Sequence, residues 1–151
     1  MSEHIYLHPE VAAALAERRP VVALESSLVA HGLPYPRNLE VAQHMAAVTR
    51  EAGAVPAMVA ILDGVVHVGL SDEELLQAGT PGRLTKASRR DIPLIVARKG
   101  HGGTTVAATS WVAQQVGIAV FATGGIGGVH RGATQSLDIS ADLPALAQTD
   151  V

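Results

Sequence analysis

Strand-length apolar runs recur along this chain, separated by segments with helical spacing, and that alternation restricts the fold more than any other feature. Val21-Val-Ala-Leu24, Ala57-Met-Val-Ala-Ile-Leu62, Val65-Val-His-Val68, Leu94-Ile-Val-Ala97 and Ile118-Ala-Val-Phe-Ala122 read as strands. Short, β-branched runs bounded by turn residues suit a sheet covered on both faces. Helices are expected over residues 9–19, 38–51 and 106–116, with a short one inside 138–148. Another should start at Ser71, which can cap it while Glu74 reaches back, and stop by Gly79. Asp63-Gly64 between two apolar runs is a hairpin signal. The pattern predicts an α/β fold, a three-layer α/β/α arrangement with a largely parallel sheet plus a β-hairpin excursion. In such sheets ligands sit outside the carboxyl ends of the strands. Three places qualify: Glu25, the loop at 100–105 and the loop at 123–132.

At 151 residues the chain has the length of one domain and also of half of many α/β enzymes. A net charge of −3 without a basic stripe argues against a nucleic-acid partner, because backbone phosphates require clustered Lys and Arg. The single concentrated positive patch is Lys86, Arg89 and Arg90. Zero cysteines exclude disulfide and thiolate chemistry and fit a cytoplasmic location. No apolar run is long enough to span a bilayer, so no membrane partner is expected.

Phe121-Ala-Thr-Gly-Gly-Ile-Gly-Gly-Val-His-Arg-Gly132 follows a strand-like run directly. Bare backbone N–H groups there could converge on an anion, with Thr123, His130 and Arg131 as supporting donors; a tight turn without a ligand fits the same residues. The loop fails the dinucleotide pattern at His130, where a glycine is needed, and the G-x-x-x-x-G-K-[ST] pattern at Ala133. Glu25 ends a buried strand, where a carboxylate is costly unless it is paired or used. It suits proton transfer, or alternatively accepts N–H bonds from the turn at Ser26-Ser27. Lys86 reads as a phosphate or sugar-hydroxyl contact or as part of a solvated patch, with Ser88 capping the next turn. Lys99 beside the Gly100 loop supports no stronger reading. Asp138 and Asp142, with Ser140 between them, offer hard oxygen donors suited to Mg2+ or Mn2+, or else N-terminal caps for a helix. Of the seven His residues, His31 and His130 fall in candidate loops, and none has metal-ligand spacing.

Taken in order, Val21-Val-Ala-Leu-Glu-Ser-Ser27, Ala30-His-Gly-Leu-Pro-Tyr-Pro36, Thr85-Lys-Ala-Ser-Arg-Arg-Asp91, Gly103-Thr-Thr-Val106, the glycine loop and Asp138-Ile-Ser-Ala-Asp142 run over nearly all of the chain. Together they resemble the pseudouridine-5′-phosphate glycosidase family, which includes the indigoidine synthase A-like proteins. The resemblance implies reversible cleavage of the C–C glycosidic bond of pseudouridine 5′-phosphate to uracil and ribose 5-phosphate. It implies Mn2+ or another divalent cation, one per subunit, and a homo-oligomer, a trimer by family. Carried over by motif, Glu25 is the proton donor, Lys86 a substrate-binding residue, and Val106 a substrate contact through its backbone. Asp138 is the metal ligand, and Ser140, Ala141 and Asp142 are the substrate-binding run after it.

The resemblance further implies a lysine that opens the ribose as a Schiff base, since the leaving carbon departs poorly by acid assistance alone. That lysine belongs to a segment beyond the next strand, and neither Lys86 nor Lys99 stands in its context. Residues 1–151 are therefore expected to be the N-terminal portion of a single domain, incomplete at the C-terminus. With one sheet edge unpaired, the isolated chain is expected to associate or aggregate. A non-catalytic sugar-phosphate binding module and a phosphotransferase-like domain are the competing classes.

Overall fold

The computed structural model describes residues 4–151. The strands are β1 (Ile5–Leu7), β2 (Val21–Glu25), β3 (Val55–Leu62), β4 (Val65–Val68), β5 (Thr85–Ala87), β6 (Gly102–Thr104) and β7 (Val120–Ala122). They form one sheet whose main order is β1-β4-β3-β2-β7, with β6 also on β3 and β5 on β6. Four of the pairings are parallel, β1 with β4, β2 with β3 and β7, and β5 with β6, while β3 pairs antiparallel with β4 and β6. The helices are α1 (Pro9–Ala16), α2 (Arg37–Glu51), α3 (Asp72–Gly79), α4 (Ile92–Ala97), α5 (Val106–Val116), α6 (Ala133–Ser136) and α7 (Asp142–Leu146). Among the described residues no helix is long and apolar enough to cross a membrane.

Side-chain alternation along the strands divides the core into two layers. Val21, Ala23, Val55, Ala57, Val59 and Ile61 face α1 and α5, packing against Val11, Ala14, Ala108, Val112 and Ala113. Leu24 and Met58 face the other way, onto Ala42 and Leu39 of α2 and Leu75 of α3. The three-layer α/β/α expectation thus holds, with β3 buried along its whole length. At the hairpin, Asp63 and Gly64 both take positive φ, 49° and 77°, the combination a two-residue primed turn needs. Ser71 and Glu74 form the expected reciprocal cap, Ser71 N–H donating to Glu74 Oε2 at 2.8 Å.

Two local expectations are corrected. Residues 94–97 are not a strand but belong to α4: Pro93 sits in its first turn, where the missing N–H costs nothing, and Leu94 is exposed. A run of four apolar residues is too short to distinguish helix from strand, and here Ile92 and Ile95 reach the core from a helix. Gly102 and Gly103, read as loop, belong to β6. A Cβ on Gly102 would lie 3.0 Å from Ala87 Cβ, so glycine there permits close strand packing rather than a turn. The stretch before Asp91 contains β5 and, after Ser88, a 3-10 turn over Arg89–Asp91. Beyond β2, Leu28–Gly32 form a π-helical turn. The three-residue β1 carried no sequence signal and is held by its parallel register with Val66 to Val68.

The junction that positions the site is at Val59. Up to that residue β3 pairs with β2; at Ala60 and Ile61 it pairs with β6, which runs the opposite way. The carboxyl ends of β2 and β6 therefore point at each other. Hydroxyls seal the seam: Ser26 Oγ and Thr104 Oγ1 each donate to the Val59 carbonyl at 2.6 Å, and Thr104 N–H donates to Ser26 Oγ at 2.9 Å. Ser26→Ala leaves that buried N–H without its acceptor and should cost about 2 kcal/mol in urea unfolding. An unchanged midpoint would show that the seam contributes nothing.

Candidate active site

Because β2 and β6 end head to head, and β5 and β7 end alongside them, several loop-borne groups are forced into one space. A cleft of about 510 Å³ lies there. Glu25 enters it from the end of β2, Lys86 from β5, and Val106 from the start of α5. His130, Asp138, Ser140, Ala141 and Asp142 enter from the segment after β7, and Gly125 and Gly127 of the glycine loop complete that wall. Two of the expected places at strand ends, Glu25 and the glycine loop, do meet. Of the third, only Thr105 reaches the cleft; Gly100 and His101 lie at the far end of the sheet, bonding Gly64 and Asp63 of the hairpin.

Glu25 is half-buried and both its carboxylate oxygens are occupied. Ser27 Oγ donates to Oε2 and Thr123 Oγ1 to Oε1, so side-chain hydroxyls take the place of the backbone N–H groups of the alternative reading. Thr123 lies outside the cleft wall, in a smaller neighbouring cleft of about 390 Å³ that it shares with Glu25 and His44. Arg131 lines neither cleft. Lys99 is on another part of the surface, beside Trp111, so Lys86 is the chain's one lysine in the larger cleft. His31 packs with Nε2 against the position of Gly103, outside the cleft wall.

Part of the glycine loop's backbone is already bonded. Gly127 N–H donates to Asp142 Oδ2 at 2.8 Å, and Gly125 N–H reaches Thr123 Oγ1 at 3.3 Å. A bridge between Val129 and Ile139 then folds the loop onto the segment after it. Asp142 is 9% exposed, and its other oxygen accepts Ala107 N–H at 2.9 Å in the first turn of α5. It lies in the first turn of α7, as the capping reading expected, yet it caps a different helix. Gly127 must be glycine, because a Cβ there would meet Ser140 Oγ and Asp142 Oδ2.

Thr105, Ser27, Ser88 and Arg90 also line the cleft, although none of the four was assigned a site role of its own from sequence. Thr105 stands out because its hydroxyl is buried and has no partner among the described residues, at the N-terminal end of α5 where N–H groups favour an anion. The signal available was Thr104-Thr105 directly before a helical run. Ser88 does cap as expected to this extent: its N–H donates to Asp91 Oδ2 at 2.9 Å.

For a divalent ion the donors are sparse. Among the described residues no three acidic or His side chains converge. Asp138 is exposed, with His130 Nδ1 3.4 Å from its Oδ2. One hard carboxylate beside open solvent suits Mg2+ or Mn2+, which keep several waters and take oxygens from a bound phosphate. It does not suit a closed all-protein cage.

The chain has counterparts among known proteins in both sequence and fold. The chain aligns over 151 residues, 100% of its length, at 58% identity with a pseudouridine-5′-phosphate glycosidase of Rhodospirillum centenum, covering 47% of that protein. A protein of the same name from Alkaliphilus metalliredigens is 54% identical over 151 residues, of which the chain covers 49%. The chain thus spans about half the length of the curated relatives it matches. Among solved structures, a prealnumycin C-glycosynthase in complex with ribulose 5-phosphate superposes with a TM-score of 0.84 at 45% identity, over 93% of this chain and 45% of the other. An indigoidine synthase A-like protein from Thermotoga maritima gives 0.83 at 35% identity, over 95% and 46%. The family model for indigoidine synthase A like protein matches residues 10–151, and the chain belongs to that family.

Proposed function

We propose that residues 1–151 are the N-terminal portion of a single glycosidase domain that cleaves pseudouridine 5′-phosphate reversibly to uracil and ribose 5-phosphate. The observation that carries this reading is the cleft itself, in which Glu25, Lys86, Val106, Asp138, Ser140 and Ala141 come together from four separate strand ends. Its relatives bear that glycosidase name, and a related structure holds a pentose phosphate.

In this reading Glu25, oriented by Ser27 and Thr123, holds and delivers the proton at the sugar or uracil. Lys86, Arg90, the Thr105 hydroxyl and the N-terminus of α5 bind the phosphate. Ser140 and the Ala141 backbone orient sugar hydroxyls. Asp138 would hold a divalent cation, manganese by the resemblance, which supplies positive charge next to the phosphate when bound. Asp142 serves this site indirectly, since both of its oxygens are already used by backbone N–H groups. The Schiff-base lysine is outside these residues, and the working unit is a homotrimer in the cytoplasm.

A specific observation favours a second reading for the chain by itself, a sugar-phosphate binding module: the cleft contains one lysine, and the resemblance gives that lysine a binding role. Titration calorimetry tests the shared part of both. Ribose 5-phosphate should bind, and Lys86→Ala should weaken it about tenfold, the loss of one charge-assisted contact of roughly 1.5 kcal/mol. Binding of a nucleotide without ribose 5-phosphate would overturn both readings in favour of a phosphotransferase-like domain.

A further inference from the structure

Thr123 Oγ1 has three polar neighbours and one proton. It lies within hydrogen-bond reach of Glu25 Oε1, it is 3.0 Å from the Gly125 carbonyl, and it is 3.3 Å from Gly125 N–H. A hydroxyl donates once and accepts through two lone pairs, so Glu25 and the Gly125 carbonyl compete for the same hydrogen. Ser27 has no such conflict, since the one side-chain bond of its hydroxyl is to Glu25 Oε2.

We propose that Thr123 is a positioning residue that couples the proton load of Glu25 to the hydrogen bonding of the glycine loop. With Glu25 ionised, the charged carboxylate is the stronger acceptor and takes the Thr123 hydrogen. The Gly125 carbonyl is then left to solvent or to a bound ligand. When Glu25 gains a proton, its O–H donates to Thr123 Oγ1, and the Thr123 hydroxyl rotates to donate to the Gly125 carbonyl. No covalent bond other than that of the arriving proton changes, and the proton stays on Glu25 until it is handed on. In both states Glu25 Oε1 and Thr123 Oγ1 remain hydrogen-bonded to each other, so Glu25 can cycle at the cost of a hydroxyl rotation, with only the Gly125 carbonyl changing partner. Because Gly125 lines the cleft beside Gly127, the loop facing the substrate alternates its carbonyl between bound and free as the reaction's proton comes and goes.

Other charged groups face Glu25 and must be separated from it. His44 of α2 shares the smaller cleft, and Lys86, Arg90, His130, Asp138 and Asp142 share the larger one. The inference rests on Glu25 being the proton-handling group, but its test needs no turnover. Carboxyl and amide resonances of the isotopically labelled 151-residue chain are followed by NMR across pH, Glu25 being assigned through Glu25→Gln. The Gly125 amide should shift with the same midpoint as the Glu25 carboxyl. That step should vanish in Glu25→Gln and in Thr123→Val, and return in Thr123→Ser, which restores the hydroxyl alone. A Gly125 resonance that stays flat while Glu25 titrates, or a step that persists in Thr123→Val or Glu25→Gln, overturns the coupling. Ribose 5-phosphate titrated into the same samples judges the proposed function separately, since coupling without sugar-phosphate binding supports the role of Thr123 and counts against the glycosidase reading.

Discussion

Asp142→Ala should lower the unfolding free energy by about 3 kcal/mol or more, because each hydrogen bond to a charged group contributes roughly 1.5 to 3 kcal/mol and two are lost together. The loss is large because the carboxylate is buried and serves backbone groups that nothing else satisfies. Thr105 stands at the N-cap position of α5 but makes no capping bond with its side chain. Ala107 N–H depends instead on Asp142, 35 residues further along the chain, and Gly127 N–H takes the second oxygen. One side chain thereby fixes a helix end and the glycine loop to each other. Amide exchange should locate the damage: Ala107 and Gly127 lose protection in Asp142→Ala, while β3 keeps its own up to the new global limit. Asp142→Asn, which retains one acceptor, should lose about half as much. If Asp142→Ala unfolds at the wild-type urea concentration, the carboxylate is not a structural latch, and direct substrate contact becomes its better description.

The 151-residue chain alone should turn over no pseudouridine 5′-phosphate, and sodium borohydride should trap no ribose 5-phosphate adduct on it. Loss of a catalytic nucleophile typically costs on the order of a millionfold in rate. Lys86 lines the cleft, where the proposed function gives it a binding role, and Lys99 lies outside it. Turnover should appear when the C-terminal half of the Rhodospirillum centenum relative is added, with the trapped adduct on the added half. Among the described residues β7 pairs with β2 alone, Val120 is 54% exposed, and the smaller cleft beside it is lined by Leu28, Met45, Val48 and Ala122. An unpaired edge next to apolar side chains is a template for a further strand. A borohydride adduct on the isolated chain would sink this expectation, because it would mean that a lysine among these residues is the nucleophile.

Legibility in the sequence tracked the range of the interactions involved. The hairpin at Asp63-Gly64 and the cap at Ser71 were readable because their partners lie within a few residues. The helix over Val106–Val116 was readable because its apolar spacing is internal to the segment. Residues 94–97 misled because four apolar residues satisfy either period, and only the start supplied by Ser88, Asp91 and Pro93 favours a helix. Gly102 and Gly103 misled for a different reason. Glycine permits a turn, but it also permits a strand to approach Ala87 and Ile61 closely, and the choice depends on neighbours distant in sequence.

By itself the sequence determined the layered α/β class, the ends of its longest helices and the identity of the chemically competent residues, all properties of local pattern and residue type. The tertiary structure alone decided which of those residues meet. It brought the end of β2 against the end of β6, because β3 exchanges a parallel partner for an antiparallel one at Val59. It also pinned the glycine loop at Gly127 to Asp142, and gave Glu25 two hydroxyl partners, one of them 98 residues away. Such pairings depend on strand register and on the competition of buried donors for few acceptors, and a hydrogen bond across that separation leaves no trace in local spacing.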